Sequence, residues 1–214
     1  MASRLLGRRP RLAVDIGGNV GDYSAELLRC FPEVDLHVFE PATSNIAKLR
    51  QRFPAEAKVS LRQAALSDVP GRMTLFSDKD GSGMASLVRR ELNHLRISFE
   101  PMEEVEVVRF EDYWRGVLGG RPIDIVKIDV EGYELMVIRG FGEAIQQVKV
   151  LQFEFGGTHI DAKVFFRDFW RLLEAADFDL YRITPLGIVH IRSYHERDEH
   201  FLITNYIAVN RREL

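Results

Sequence analysis

Four acidic residues, Asp15, Glu40, Asp129 and Glu154, each stand at or near the carboxyl end of an apolar run in this 214-residue chain. In an open α/β sheet, ligands sit outside the carboxyl ends of the strands, so acids repeated at that position mark one edge as a site. A carboxylate there can bind a cation, accept hydrogen bonds from a sugar hydroxyl, or take a proton from a hydroxyl nucleophile. Asp129, Glu131 and Glu154, with His159 shortly after the last, are the candidates for acid–base work. One arrangement puts Asp129 or Glu131 on the acceptor hydroxyl and Glu154 and His159 on the opposite wall. Asp129, Glu154 and His159 also combine oxygen ligands with an imidazole, so a divalent ion is an alternative there, although the expected chemistry needs no metal.

The first acid opens a glycine loop, VDIGGNVG from Val14 to Gly21. A dinucleotide fingerprint needs G-x-G-x-x-G, and Ile16 stands where its first glycine belongs. Asp15 would also place a fixed negative charge against a pyrophosphate. An acid suits a cationic ligand better. S-adenosylmethionine carries a sulfonium and an ammonium, has no phosphate, and presents ribose hydroxyls to a carboxylate. Glu40 follows the glycines by about 20 residues, where nucleotide-binding α/β folds place such an acid. The cofactor candidates are therefore Asp15, Gly17, Gly18, Asn19, Gly21, Glu40, Pro41 and Asp129, with Ala64 and Ala65 as small residues against an adenine ring.

Alternating elements must hold these residues. Leu12 to Ile16, Asp35 to Glu40, Lys58 to Arg62, Asp124 to Val130 and Val148 to Phe155 read as buried strands. Asp22 to Phe31, Ser44 to Arg52, Tyr133 to Arg139 and Lys163 to Ala176 read as helices, the first stopped by Pro32 and the second opened at Thr43. Met73 to Ser77 and Val105 to Phe110 are expected to pair as added strands. The connection 78–104 between them, carrying Arg89, Arg90, His94 and Arg96, is expected to be a lid. Phe178 to Thr184 and Phe201 to Asn210 are expected to close the sheet as an antiparallel pair.

Size and composition fit one domain, 11–214, behind a flexible basic tail, 1–10. At 46% hydrophobic the chain can build a core, while a net charge of −3 and a pI near 6.1 lack the basic field of a nucleic-acid binder. Cys30 is the only cysteine, which rules out an internal disulfide and points to a reducing, cytoplasmic setting. No apolar run is long enough to span a bilayer.

VDIGGNVGDYS, VFEP, AALSD and above all DIVKIDVEGYELMVIRG resemble the FkbM-type S-adenosylmethionine-dependent methyltransferases, from about Leu12 to Ile145. The resemblance implies an α/β fold of the class I methyltransferase type, a Rossmann-like three-layer sandwich with a seven-stranded, mostly parallel sheet and an antiparallel last strand. It implies methyl transfer to a hydroxyl of a sugar, glycan or secondary metabolite. Asp15, Gly17 and Gly21 match the family's cofactor loop and Glu40 its ribose-binding acid. Gly18 stands where alanine is more usual, a change expected to cost little. The alternatives are a non-catalytic binding module of the same fold and a nicotinamide-dependent oxidoreductase. The acceptor, a small molecule or glycan, is set by loops and not by the shared fold, and the sequence specifies no oligomeric state.

Overall fold

The computed structural model describes residues 8–54 and 58–213. The chain opens with β1 (Leu12–Ile16), α1 (Asp22–Cys30), β2 (Asp35–Phe39), α2 (Thr43–Arg52) and β3 (Val59–Arg62). A small excursion follows as β4 (Ala65–Leu66), β5 (Gly71–Ser77) and β6 (Glu100–Val108). Then come α3 (Phe110–Gly116), β7 (Ile123–Ile128), α4 (Glu134–Arg139), β8 (Val148–Phe155), α5 (Thr158–Ala162) and α6 (Phe166–Ala175). The chain ends in β9 (Phe178–Thr184), β10 (Gly187–Ile191) and β11 (Thr204–Asn210).

Eight of these strands form one sheet in the order β10-β9-β11-β8-β7-β1-β2-β3. The pairs from β3 through β8 are parallel, and β11 inserts antiparallel between β8 and β9. The central strands β1 and β7 are buried along their whole length, which is why their sequences run apolar without alternation. On one face Leu27, Ile46 and Leu49 of α1 and α2 pack against Ala13, Leu36, Val38 and Ile125. On the other, Phe153, Phe155 and Tyr206 meet Phe166 and Phe169 of α6, with the Phe153 and Phe169 rings stacked at 4.8 Å. Both faces bury one stripe of each element, the three-layer arrangement an alternating α/β chain requires.

The structure differs from the sequence expectations at several places. The main sheet has eight strands instead of seven, because Pro185 and Leu186 make a tight turn and Gly187–Ile191 folds back on β9 as an edge strand. The pair β5 and β6 forms as expected but belongs, with β4, to a separate three-stranded sheet. The strand expected through Phe110 stops at Val108, and fully buried Phe110 begins α3. The helix expected from Lys163 begins at Phe166, since Lys163 turns into the left-handed region at φ +54° and closes the short α5.

Two expected segments are also redrawn. Of the basic tail, residues 1–7 lie outside the described residues, while Arg8 pairs with buried Asp124 at 2.6 Å and is fixed to the domain. Asp124 also accepts the backbone N–H groups of Arg11 and Leu12, tying the start of β1 to β7. Of the connection 78–104, Glu100 onward is strand β6, Asn93–Leu95 is a single 3-10 turn, and Ser86 bridges Phe76 through two backbone hydrogen bonds.

Candidate active site

The glycine loop leaves β1 in left-handed turns, with Gly17 at φ +83°, Asn19 at +47° and Gly21 at +86°. Gly17 is required sterically, because a Cβ there would lie 1.9 Å from the carbonyl oxygen of Asp129. At Gly18 a Cβ would come within 2.3 Å of Val38 Cγ1, so the alanine expected to be harmless would need the Val38 side chain to shift. The loop therefore lies directly against the ends of β2 and β7, and the backbone N–H groups of Gly17 and Gly18 both donate to Phe39 O.

Beside this loop is a cavity whose wall includes Gly17, Asn19, Glu40, Pro41, Ala64, Ala65 and Asp129 from the expected cofactor set. Asp15, Gly18 and Gly21 are not on its wall; they shape the loop from behind. Glu40 is buried, accepting the N–H groups of Asn19 at 2.8 Å and Ala42 at 2.9 Å. Burial raises its pKa, and those hydrogen bonds oppose the rise. Phe39, Leu66 and Leu75 add an apolar floor, and Asn19 Oδ1 is buried beside them without a hydrogen-bond partner. A buried acid, an orphaned amide oxygen and an apolar slot suit a ribose and its base, so the residues fit the adenosine of S-adenosylmethionine.

Asp15 is turned away from the cavity wall. Its side chain is fully buried, accepts a 2.6 Å hydrogen bond from Ser24 Oγ, and lies 3.6 Å from Lys127 Nζ. Lys127 is also 3.3 Å from Asp129 and 5.4 Å from the Tyr23 ring centroid, so one buried ammonium joins the acids of β1 and β7. Burial works against the Lys127 charge, yet the two carboxylates hold its pKa above the ordinary value. The inference that Asp15 presents free negative charge to the cofactor is thus corrected: Lys127 compensates it, and Asp129, whose side chain is 37% exposed, is the carboxylate left facing the cavity.

Beyond Asp129 the chain turns sharply, with Glu131 at φ +58° and Gly132 at +105°. One carboxylate oxygen each from Asp129, Glu131 and Glu154 lie within 4.8 Å of one another, so the acids expected on β7 and β8 do converge. Asp129 and Glu131 line the cavity, and Glu154 adjoins them without being on its wall. Burial, then the Asp129 charge, pushes Glu131 up to about 7 against the pull of Arg90, 3.4 Å away. Burial and the neighbouring acids push Glu154 up to about 7 as well. Carboxyl groups crowded this way cannot all ionise freely, which tunes them toward proton exchange near neutral pH. Three oxygen donors of this kind also suit a hard cation, but Lys127 and Arg90 already bring positive charge to Asp129 and Glu131.

His159 is not part of this group. It is fully buried between Phe155 and Phe169, with Nε2 2.9 Å from Glu134 Oε2 and Nδ1 accepting Gly156 N–H at 3.3 Å. Glu134, equally buried, accepts the N–H groups of Val130 at 2.8 Å and Gly132 at 2.9 Å. Together they clamp the turn carrying Asp129 and Glu131 to the turn after Glu154. Gly132 makes the approach possible, since a Cβ there would lie 2.7 Å from Thr158 O. The imidazole expected on the acceptor wall, or in a metal site with Asp129 and Glu154, is instead buried away from the cavity wall.

Part of the connection 78–104, expected as a lid, lies on the cavity wall. Ser82, Gly83, Ala85, Ser86 and Leu87 line it, and Ser86 Oγ donates to Glu131 O at 2.8 Å. The small residues of DGSGMAS were the available signal, but which cavity they cover depends on a contact 45 residues away. Of the four basic residues in the expected lid, only Arg90 reaches the acids among the described residues.

Known proteins resemble this arrangement in sequence and in shape. The Methyltransferase FkbM domain family matches residues 15–180. The 2-O-methyltransferase NoeI of Sinorhizobium fredii (strain NBRC 101917 / NGR234) is 28% identical over 166 residues, covering 73% of this chain and 68% of NoeI. The methyltransferase sdnD of Sordaria araneosa is 28% identical over 198 residues, covering 79% of this chain and 74% of its own. Among solved structures, the plantazolicin methyltransferase BpumL in complex with SAH superposes over 98% of this chain and 80% of its own, with a TM-score of 0.54 at 10% identity. That last likeness concerns the fold, whereas the family match spans both the glycine loop and the acid cluster. The chain belongs to the FkbM methyltransferase family, and S-adenosylmethionine is its cofactor.

Proposed function

We propose that the protein transfers a methyl group from S-adenosylmethionine to a hydroxyl of a sugar, a glycan or a secondary metabolite, in a reducing, cytoplasmic setting. The observation that carries this reading is the convergence of Asp129, Glu131 and Glu154 at the rim of the Glu40 cavity. When bound, the cofactor supplies a sulfonium methyl that already has a good leaving group. The chain's own residues must then position the acceptor and take up its proton. Asp129, held by Lys127, faces the cofactor side. Glu131 and Glu154 face the acceptor side, and Glu154, which makes no ion pair among the described residues, is the general base. A carboxylate tuned to about 7 can accept a hydroxyl proton at neutral pH as the oxygen attacks. Such a base contributes roughly 10² to 10⁴ in rate. The name of the relative NoeI, a 2-O-methyltransferase, supports oxygen as the nucleophile.

An acceptor screen with methyl-labelled cofactor, starting with nucleotide sugars and free glycans and extending to polyhydroxylated small molecules, tests the proposal. Label recovered as an O-methyl ether is the expected result. Label on nitrogen or carbon, or no S-adenosylhomocysteine released with any hydroxyl acceptor, contradicts it.

A further inference from the structure

A second cavity lies beside the acids, on the far side of Arg90 from Glu131. Its volume is about 390 Å³, inside the range of about 300–1,000 Å³ typical of small-molecule sites, and its wall is one stretch, residues 89–100, leading into β6. That stretch is anchored at several points. Leu92 and Phe99 are buried, the N–H groups of Leu95 and Ile97 both donate to Leu92 O, and Glu91 N–H reaches Asp161 of α5 at 3.3 Å.

Arg90 joins this cavity to the one at Glu40. Its side chain, 11% exposed, is on the wall of the second cavity, and its Nη1 is 3.4 Å from Oε2 of Glu131, a residue on the wall of the first. Ser86, also on the first wall, donates to Glu131 O, so the chain passes from one cavity to the other in the short run from Ser86 to Arg90. An occupant of the second cavity therefore lies against the acid cluster. The guanidinium has several N–H donors to place. Among the described residues it makes only the contact to Glu131, at the outer limit of a hydrogen bond, and Nε is buried with no partner. Unmet buried donors are costly, which favours an occupant that brings acceptor atoms to Arg90.

The rest of the wall indicates the class of that occupant. Arg89 and Arg90 are matched by Glu91 and Glu100, so the cavity selects no ion by net charge. Asn93 and Ser98 add further donors and acceptors, while Leu92, Ile97 and Phe99 supply apolar surface. A neutral sugar ring has the matching chemistry, hydroxyls around its edge and C–H groups on its faces.

We propose that this cavity binds the acceptor as a neutral glycosyl unit, and that Arg90 determines specificity by holding a hydroxyl next to the one presented to Glu131 and Glu154. The reaction rests on the hydroxyl-methylation reading; the binding does not.

The test is saturation-transfer NMR on the full chain with S-adenosylhomocysteine present. The probes are methyl glycosides of neutral hexoses and pentoses, with glucuronate and glucose 6-phosphate as charged counterparts. At least one neutral glycoside is expected to show transfer, and more strongly than either charged sugar. Ser98→Trp and Asn93→Trp, which fill the cavity from exposed positions, are each expected to abolish it. Arg90→Lys keeps a cation near Glu131 but loses the planar fork. It is expected to raise the KM of a glycoside that is methylated about tenfold, with kcat within about threefold of wild type. Calorimetry with S-adenosylhomocysteine is expected to give unchanged affinity in all these variants, which also checks their fold. No transfer to any neutral glycoside overturns the proposal, as does wild-type transfer in both tryptophan variants. Stronger transfer to a charged sugar overturns the neutral class, and an unchanged KM in Arg90→Lys overturns the role of Arg90. A glycoside held in this cavity but never converted to an O-methyl ether counts against the hydroxyl-methylation reading and leaves the binding site standing. O-methyl ethers formed at wild-type KM by both tryptophan variants do the reverse.

Discussion

Replacing Glu134 with glutamine tests whether the clamp behind the acids sets their geometry. The carboxylate has one oxygen on Val130 N–H and the other on Gly132 N–H, with His159 Nε2 2.9 Å from the second. Glutamine keeps one acceptor and puts an NH₂ where the other stood, so one buried backbone donor faces another donor. Leaving such a group unsatisfied costs about 1–3 kcal/mol. For a chain of this length that lowers Tm by roughly 2–12 °C, at 2–4 °C per kcal/mol. The released turn carries Asp129 and Glu131, and misplacing a reacting group by about 1 Å can cost about 10² in rate. Calorimetric melting, S-adenosylhomocysteine affinity, and kcat with an acceptor from the screen would be compared for wild type and Glu134→Gln. The expected pattern is a lower Tm, a large fall in kcat and a smaller loss of affinity, since Glu40 and Asn19 lie on the other side of the cavity. An unchanged Tm together with an unchanged kcat would show that the carboxylate does not hold the turn.

Further outcomes follow from the same geometry. Glu40→Ala should weaken S-adenosylmethionine binding by about ten- to a hundredfold, the worth of charge-assisted hydrogen bonds of about 1.5–3 kcal/mol, and unchanged affinity in calorimetry would remove Glu40 from the ribose. Gly18→Ala should cost about 1–3 kcal/mol, because the new methyl meets Val38 at 2.3 Å; a Tm equal to wild type would show that the Val38 side chain yields freely. The wild-type rate should rise with pH through about 7, because burial raises Glu154 to that value and a base works only once deprotonated. A flat profile between pH 6 and 8 would exclude either raised carboxylate as the base in the slow step.

Much of the fold was legible because it rests on local pattern. LAVDI and DIVKIDV announce strands buried on both faces, and acids at strand ends announce the edge that binds. Those signals place a residue at an edge but not the direction of its side chain. Asp15 and Asp129 occupy similar strand-end positions, yet Asp15 turns inward to Ser24 and Lys127 while Asp129 reaches the cavity. His159 follows Glu154 closely in sequence, yet α5 turns it under the loops, where Glu134 receives it. Gly187–Ile191 was not apparent because its side chains are mostly exposed, so an edge strand lacks the apolar run that reveals a central one. Which cavity the segment from Ser82 to Leu87 covers depends on Ser86 finding Glu131, a contact no local window contains.

The central claim is that one edge holds two separable functions, a cofactor cavity at Glu40 and an acid cluster that removes the acceptor proton. Glu154→Gln tests it most directly, with S-adenosylmethionine affinity measured by calorimetry and turnover by label transfer on the same preparation. The account predicts affinity within about twofold of wild type and turnover lowered by roughly 10² to 10⁴. Turnover near wild type with affinity retained would contradict it.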